Sequence, residues 1–278
     1  MNNTIAVIFD FDDTLAPDST TTFLESIGVD AHDFWTRRAA GLTKAGWDPV
    51  LAYLFEMVKE SESRALTDPI TRKRLAEWGP QVKYFKGVTR IFNTLRNHVE
   101  AISDEISIEF YLISSGLREI LTHTRLASNF KDIWASDFEY DGNGRILFPK
   151  NTVSFTDKTR YLFQVRKGIF GPESRENPFL VNKKSTEEDI RVPFDQMIFV
   201  GDGYTDIPCF TLVRKRGGFA IGVYNSDSHT KWRQAWEFIQ TGRVSNLVRA
   251  DYSKESSLRD TLLMATESIA RRILAGQS

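Results

Sequence analysis

Asp10 and Asp12 follow a five-residue apolar run, Ile5-Ala6-Val7-Ile8-Phe9, with one phenylalanine between them. The run reads as a buried strand, and residues i and i+2 leave an extended chain on the same side. Two carboxylates that close repel unless a cation, a proton or a division of roles separates them. Their type and spacing suit a hard metal site, or a nucleophile with its own acid/base partner. An acidic turn in which Asp12 or Asp13 caps a helix is the plainer alternative.

Two more clusters repeat that order of apolar strand, small or acidic residues, then helix start. Ser114-Ser115-Gly116 follows Phe110-Tyr111-Leu112-Ile113, and Gly201-Asp202-Gly203-Tyr204-Thr205-Asp206 follows Met197-Ile198-Phe199-Val200. In a doubly wound sheet such strand ends converge on one crevice. Pooled there, the clusters supply carboxylates, a hydroxyl and backbone N–H groups, which suits an anion beside a divalent cation. Lys158 adds a positive charge. Taken singly, Ser114 reads as a helix cap and Lys158 as a solvated helix terminus. The Gly201–Asp206 cluster is not a dinucleotide fingerprint, because Asp206 stands where close helix packing needs the third glycine.

The elements that must position these residues fall into two groups. Residues 17–84 carry helical signals and almost no strand signals. Asp18 and Ser19 cap a segment that Gly28 ends, and Asp30 opens a second. Asp48-Pro49 is a cap with proline at the first helical position, and Asp68-Pro69 repeats it before Gly79-Pro80 closes the stretch. Four helices placed straight after the first strand predict an inserted helical cap over 17–84, with residues 1–16 and 85–278 forming the core. From Gly87 the pattern alternates strand and helix. A helix spans Val88 to Asn97, and another runs from Leu117 to about Leu126. A hairpin turns at Asp141-Gly142-Asn143-Gly144, between Phe138/Tyr140 and Ile146/Phe148. Asp157 caps a helix from Lys158 to Lys167, Phe219–Ile221 forms a strand, and Ser257 to Leu274 a closing helix. Residues 168–195, rich in proline and charge, show no assignable element. The expected fold is α/β: a doubly wound, mainly parallel, Rossmann-like sheet with a helical insert.

The 278-residue chain is 41% hydrophobic and 26% charged, with a formal net charge of −1. That composition fits a globular protein with a sizeable core and gives no sign of nucleic-acid or membrane binding. Basic runs such as Arg72-Lys73-Arg74 and Arg214-Lys215-Arg216 read as solvated faces. One cysteine, Cys209, excludes an intrachain disulfide and reads as a buried small hydrophobe. The N-terminus lacks a basic region and its apolar run is too short for a signal peptide, so the expected location is the cytoplasm. His32, His98, His123 and His229 lack ligand spacing and read as structural or solvated. Arg37, Arg38, Lys44 and Trp47 in the insert are read either as contacts to an anionic substrate or as ordinary packing.

In order and position, these clusters resemble the four motifs of the haloacid dehalogenase-like hydrolase superfamily. Asp10-Phe11-Asp12-Asp13-Thr14-Leu15 resembles the nucleophile loop, Leu112-Ile113-Ser114 the second motif, Lys158 the third, and Gly201–Asp206 the fourth. The resemblance covers roughly residues 1–16 and 85–225. It implies that Asp10 attacks a phosphoryl phosphorus and that Asp12 serves as acid and then base. It implies Mg²⁺ held by the Asp10 carboxylate, the Asp12 carbonyl and Asp202, with Asp206 orienting a metal water or Lys158. Ser114, Ser115 and Gly116 would bind phosphoryl oxygens, and Lys158 would offset charge. An acid two residues beyond the nucleophile is typical of the phosphatase branch, and the phosphoserine phosphatase-like group is nearest. That group has Ser-Gly-Gly where this chain has Ser114-Ser115-Gly116, and a glutamate where it has Ser19, so the substrate stays open. The reading is a Mg²⁺-dependent phosphatase of a small phosphorylated metabolite. A phosphotransferase using the same intermediate, or a non-catalytic binding protein on the same fold, are the alternatives.

Overall fold

The computed structural model describes residues 3–186, 189–225 and 236–277; His229 lies outside them. The strands are β1 (Thr4–Phe9), β2 (Ser107–Leu117), β3 (Asp132–Tyr140), β4 (Ile146–Asn151), β5 (Met197–Gly201), β6 (Phe219–Tyr224) and β7 (Asn246–Arg249). They form one seven-stranded sheet in the order β4-β3-β2-β1-β5-β6-β7. Every neighbouring pair is parallel except β3–β4. The fold is therefore the expected α/β type. Strand order reverses about β1, where the ligand crevice of such sheets forms.

Side-chain alternation divides the core between two faces. Val7, Phe9, Leu112, Ile198 and Val200 join one buried cluster, and Ala6, Ile8, Tyr111, Ile113 and Phe199 the other. Because both faces are covered, the parallel strands read as unbroken apolar runs. Helix α6 (Val88–Ile102) and the C-terminal helix Ser257–Gln277 pack on the first face, and α8 (Asp157–Lys167) and α10 (Ile207–Lys215) on the second.

Between β1 and β2 the chain is helical. Asp18 caps α1 (Ser19–Ser26) by accepting the Thr21 N–H at 2.8 Å. Asp30 caps α2 (Ala31–Asp33), which runs through a π-helical turn, Phe34–Ala39, into α3 (Ala40–Lys44). Asp48 caps α4 (Pro49–Ser63) by accepting the N–H groups of Val50 and Leu51. Phe23, Phe34, Leu54, Met57 and Leu75 are buried in the same cluster as Phe9 and Leu112, so these helices share the core of that sheet face.

Several elements differ from the sequence expectation. Asp68-Pro69 does not start a helix: α5 is Arg72–Trp78, capped by Thr71, while Asp68 pairs with Arg74. β2 runs on through Leu117, leaving only a short helix, α7 (Arg118–Thr122). Asp157 is the first residue of α8 and not its cap. β3 begins at Asp132; its first half pairs with β2 in parallel, and its second half with β4 in the expected hairpin. β7 was not anticipated. Residues 168–195 contain α9 (Gly171–Glu176) and 3₁₀ turns at Pro178–Asn182 and Phe194–Gln196. Asp132 anchors this stretch, accepting from the Gly171 N–H (2.7 Å) and from Arg175 (3.1 Å).

The linker after α4 is stitched to the β3–β4 turn. Arg72 N–H donates to the Gly144 carbonyl at 2.7 Å, and Ile146 N–H to the Ile70 carbonyl at 3.0 Å. Among the described residues, no helix is long and apolar enough to cross a membrane.

Candidate active site

Strand register brings the clusters together. Phe9 lies level with Leu112 on one side and Val200 on the other, so Asp10 emerges between β2 and β5. Its N–H donates to the Val200 carbonyl at 2.9 Å. One carboxylate oxygen of Asp10 accepts the Phe11 N–H at 2.7 Å. The other accepts from Lys158 Nζ at 2.9 Å. Lys158, carried on the first turn of α8, also donates to Asp206 at 2.7 Å. Lys158 and Asp206 are 0% exposed and Asp10 is 6% exposed, so this ion triad is sealed from bulk water.

Asp206 ends the 3₁₀ turn Tyr204–Asp206 and accepts the Gly203 N–H at 3.1 Å. Gly201 leaves room for it, since a Cβ there would sit 2.4 Å from Asp206 Oδ2. Asp10, Asp202 and Asp206 offer carboxylate oxygens that all lie within 4.8 Å of one another. The set is three hard oxygen donors facing one ammonium, and this fits a hard divalent cation such as Mg²⁺.

Asp12 faces elsewhere. Its carboxylate accepts the Ser19 N–H at 2.7 Å and lies beside Gly116, where a Cβ would come within 2.6 Å of Asp12 Oδ2. The Gly116 N–H donates to Ser114 Oγ at 3.0 Å. Asp13, at φ +54, turns the chain through the left-handed region, where aspartate is tolerated better than most residues. Asp10, Asp12, Ser114, Ser115, Gly116, Lys158, Asp202 and Asp206 thus meet at the carboxyl ends of β1, β2 and β5.

Burial shapes the protonation of these groups. Desolvation, reinforced by the Asp206 carboxylate and opposed by Lys158, pushes Asp10 up to about 7. Asp202 is driven well above the usual carboxylate range by burial and then by Asp10 and Asp206. Asp12 is likewise well above it, through burial and the Asp18 carboxylate, with the Ser19 N–H opposing. For Lys158, burial works against the charge, but Asp10 and Asp206 outweigh it and keep the ammonium protonated.

The helical insert reaches the site through residues that sequence reasoning missed. Tyr53 of α4, buried among apolar neighbours, donates its hydroxyl to the Ser115 carbonyl at 2.6 Å. Ser154, shortly before α8, donates to Asp48 at 2.8 Å. Three of the four suggested anion readers are engaged within the insert. Arg38 is held by Glu56 and Glu60, Arg37 by Asp33, and Trp47 packs on Phe55 at 4.9 Å; Lys44 is exposed. His32 and His123 are exposed, and Cys209 is buried as expected.

A family model, haloacid dehalogenase-like hydrolase, matches residues 7–211. The chain belongs to that family. A relative of this hydrolase, an uncharacterized protein of Borreliella burgdorferi, is 23% identical over 290 residues, covering 94% of this chain and 96% of its own. Among solved structures, a haloacid dehalogenase family hydrolase of Salmonella enterica serovar Typhi superposes with TM-score 0.55 at 12% identity, over 88% of this chain and 67% of its own. A phosphoserine phosphatase held as an analogue of its phospho-aspartyl intermediate gives TM-score 0.54 at 13% identity, over 94% of this chain and 98% of its own. At these identities the likeness is one of fold. It places this hydrolase on an architecture shared with phosphatases.

Proposed function

We propose that the protein is a Mg²⁺-dependent phosphomonoesterase acting in the cytoplasm on a small phosphorylated metabolite, with residues 17–84 as a cap over the crevice. The observation that carries this reading is the difference in surroundings between the two neighbouring carboxylates. Asp10 is bound to Lys158 at 2.9 Å, whereas Asp12 is turned toward Ser19 and Gly116. A nucleophile must be ionised and a general acid protonated, and separate surroundings allow both at one pH.

In this mechanism an Asp10 oxygen attacks the phosphorus and an aspartyl-phosphate forms. The P–O bond to the leaving alcohol breaks as Asp12, whose burial favours the protonated form, gives its proton to that oxygen. Asp12, now ionised, takes a proton from water, and the resulting hydroxide attacks phosphorus to release phosphate and restore Asp10. Ser114 and the N–H groups of Ser115 and Gly116 hold phosphoryl oxygens. Lys158 keeps the Asp10 carboxylate oriented and offsets accumulating charge, and Asp206 fixes Lys158. Mg²⁺, held by the Asp10 carboxylate, the Asp12 carbonyl and Asp202, would neutralise phosphoryl charge.

The test is phosphate release from a panel of phosphorylated metabolites with Mg²⁺, using Asp10→Asn as control. Turnover by the wild type and its loss in the variant are expected; substantial activity in Asp10→Asn would sink the mechanism. Repeating the assay with an added alcohol separates hydrolysis from phosphoryl transfer.

A further inference from the structure

A groove of about 720 Å³ lies on the outer face of α8, apart from the Asp10 crevice. Its floor is one stripe of that helix, including Arg160, Phe163 and Arg166, and its far wall is the 3₁₀ turn Pro178–Asn182 with Lys183 and Lys184. The wall is tied in place, because Lys167 Nζ donates to the carbonyls of Val181 (2.8 Å) and Lys183. The α9 segment before it is anchored to Asp132. This is the stretch to which the sequence assigned no element.

The lining is lopsided in charge. Among the described residues that line it, Arg160, Arg166, Lys167, Lys183 and Lys184 stand with one carboxylate, Asp157. Lys183 and Lys184 are exposed, with no carboxylate partner among the described residues. Beside these cations stand aromatic rings that a folded chain normally covers: Phe179 is 82% exposed and Phe163 36%. Phe163 is set edge-on against Phe194 at 5.2 Å, which fixes its orientation. The volume suits a ligand of nucleotide size. Clustered lysines and arginines recognise phosphate oxygens, and an uncovered ring stacks on a planar base.

We propose that this groove is a second, non-catalytic site that binds a nucleoside polyphosphate, with phosphates on Lys183, Lys184 and Arg166 and the base against Phe179. Lys158 itself points the other way, into the Asp10–Asp206 pair, so the groove ligand is not the phosphoryl group under attack.

Binding is measured by calorimetry on the full chain carrying Asp10→Asn, with Mg²⁺, so that nothing is turned over. The result is thus independent of the phosphatase reading. ATP is expected to bind one site. Adenosine and tripolyphosphate should each bind roughly tenfold or more weakly, since each lacks one half of the recognition. Phe179→Ala, and separately Lys183→Glu with Lys184→Glu, should each weaken ATP by roughly tenfold. These residues are exposed, and an unchanged melting temperature confirms that the variants fold. The proposal is overturned if ATP does not bind or if the groove variants leave its affinity unchanged. It is equally overturned if tripolyphosphate matches ATP while Phe179→Ala is silent, or if a short oligoribonucleotide binds and ATP does not.

Discussion

The hydroxyl of Tyr53, on α4, donates to the carbonyl of Ser115, at the end of β2, across 2.6 Å. A peptide is planar and trans, so fixing the Ser115 carbonyl also fixes the Gly116 N–H on the opposite side. That N–H points at Ser114 Oγ, 3.0 Å away. One insert residue therefore sets the orientation of the proposed phosphoryl-binding peptide.

Tyr53→Phe removes that constraint and leaves a buried carbonyl unpaired. One net hydrogen bond is worth about 1 kcal/mol, so turnover should fall by roughly fivefold. Steady-state kinetics should show the loss in kcat more than in KM. A variant with wild-type kcat would mean that the contact only holds the insert in place.

Lys158→Met leaves Asp10 and Asp206 buried without their cation. Breaking a buried pair costs about 3–5 kcal/mol, measurable by urea denaturation at pH 8. At pH 5 the loss should shrink, because Asp10 can then protonate more readily. An equal loss at both pH values would show that Lys158 acts through packing and not charge.

The raised carboxylates also predict how metal and pH interact. For Asp10 the folded-state value of about 7 lies above its unfolded value near 3.8, so its contribution to stability is full below about pH 4 and is lost as pH climbs through 7. Asp12 and Asp202 are shifted in the same direction. Without metal, Asp10 should therefore erode stability between pH 4 and 7, and Asp12 and Asp202 act in the same direction. Mg²⁺ binds the ionised forms, so the rise in melting temperature on adding it should grow from pH 5 to pH 8. Scanning calorimetry with and without Mg²⁺ would expose a pH-independent increment, which would contradict the proposed ligand set.

Gly116→Ala would place a Cβ 2.6 Å from Asp12 Oδ2 and 3.2 Å from Ser114 Oγ. Displacing the acid/base group that Asp12 is proposed to be, by a fraction of an ångström to an ångström, can cost about 100-fold. A fall of that order is expected with little change in melting temperature. Retained activity would place Asp12's catalytic position away from Gly116.

Which residues would gather at the strand ends was more legible in the sequence than the bounds of the elements around them. Asp10, Asp12, Lys158, Asp202 and Asp206 are residues whose chemistry depends on their identity, and Ile5–Phe9 and Met197–Val200 are buried on both faces, so the strands and the convergence of these side chains at their ends could be read together. Tyr53 escaped because a tyrosine in the apolar stripe of α4 looks like core. Ser114–Leu117 was read as a helix start, yet β2 stays extended through Leu117, with an irregularity in its pairing to β3 between Ile113 and Leu117. The first half of β3, Asp132–Ser136, carries polar residues at both ends and has no clean alternation. At the sheet edge, β7 offers only Leu247 and Val248. Asp68 was mistaken for a cap because its carboxylate serves Arg74; Thr71 supplies the cap, where no proline marks it.

The main-chain bonds of Ile70 and Arg72 to Ile146 and Gly144 bear on how such an insert can be inherited. Transplanted alone onto another sheet, residues 17–84 would present an unpaired N–H and carbonyl together with a bare Ile70, which is fully buried here. Unpaired backbone groups and uncovered apolar surface both weigh against folding. The smallest piece of this chain that keeps these bonds therefore spans two stretches far apart in sequence, the helices and residues 141–151, the turn with β4.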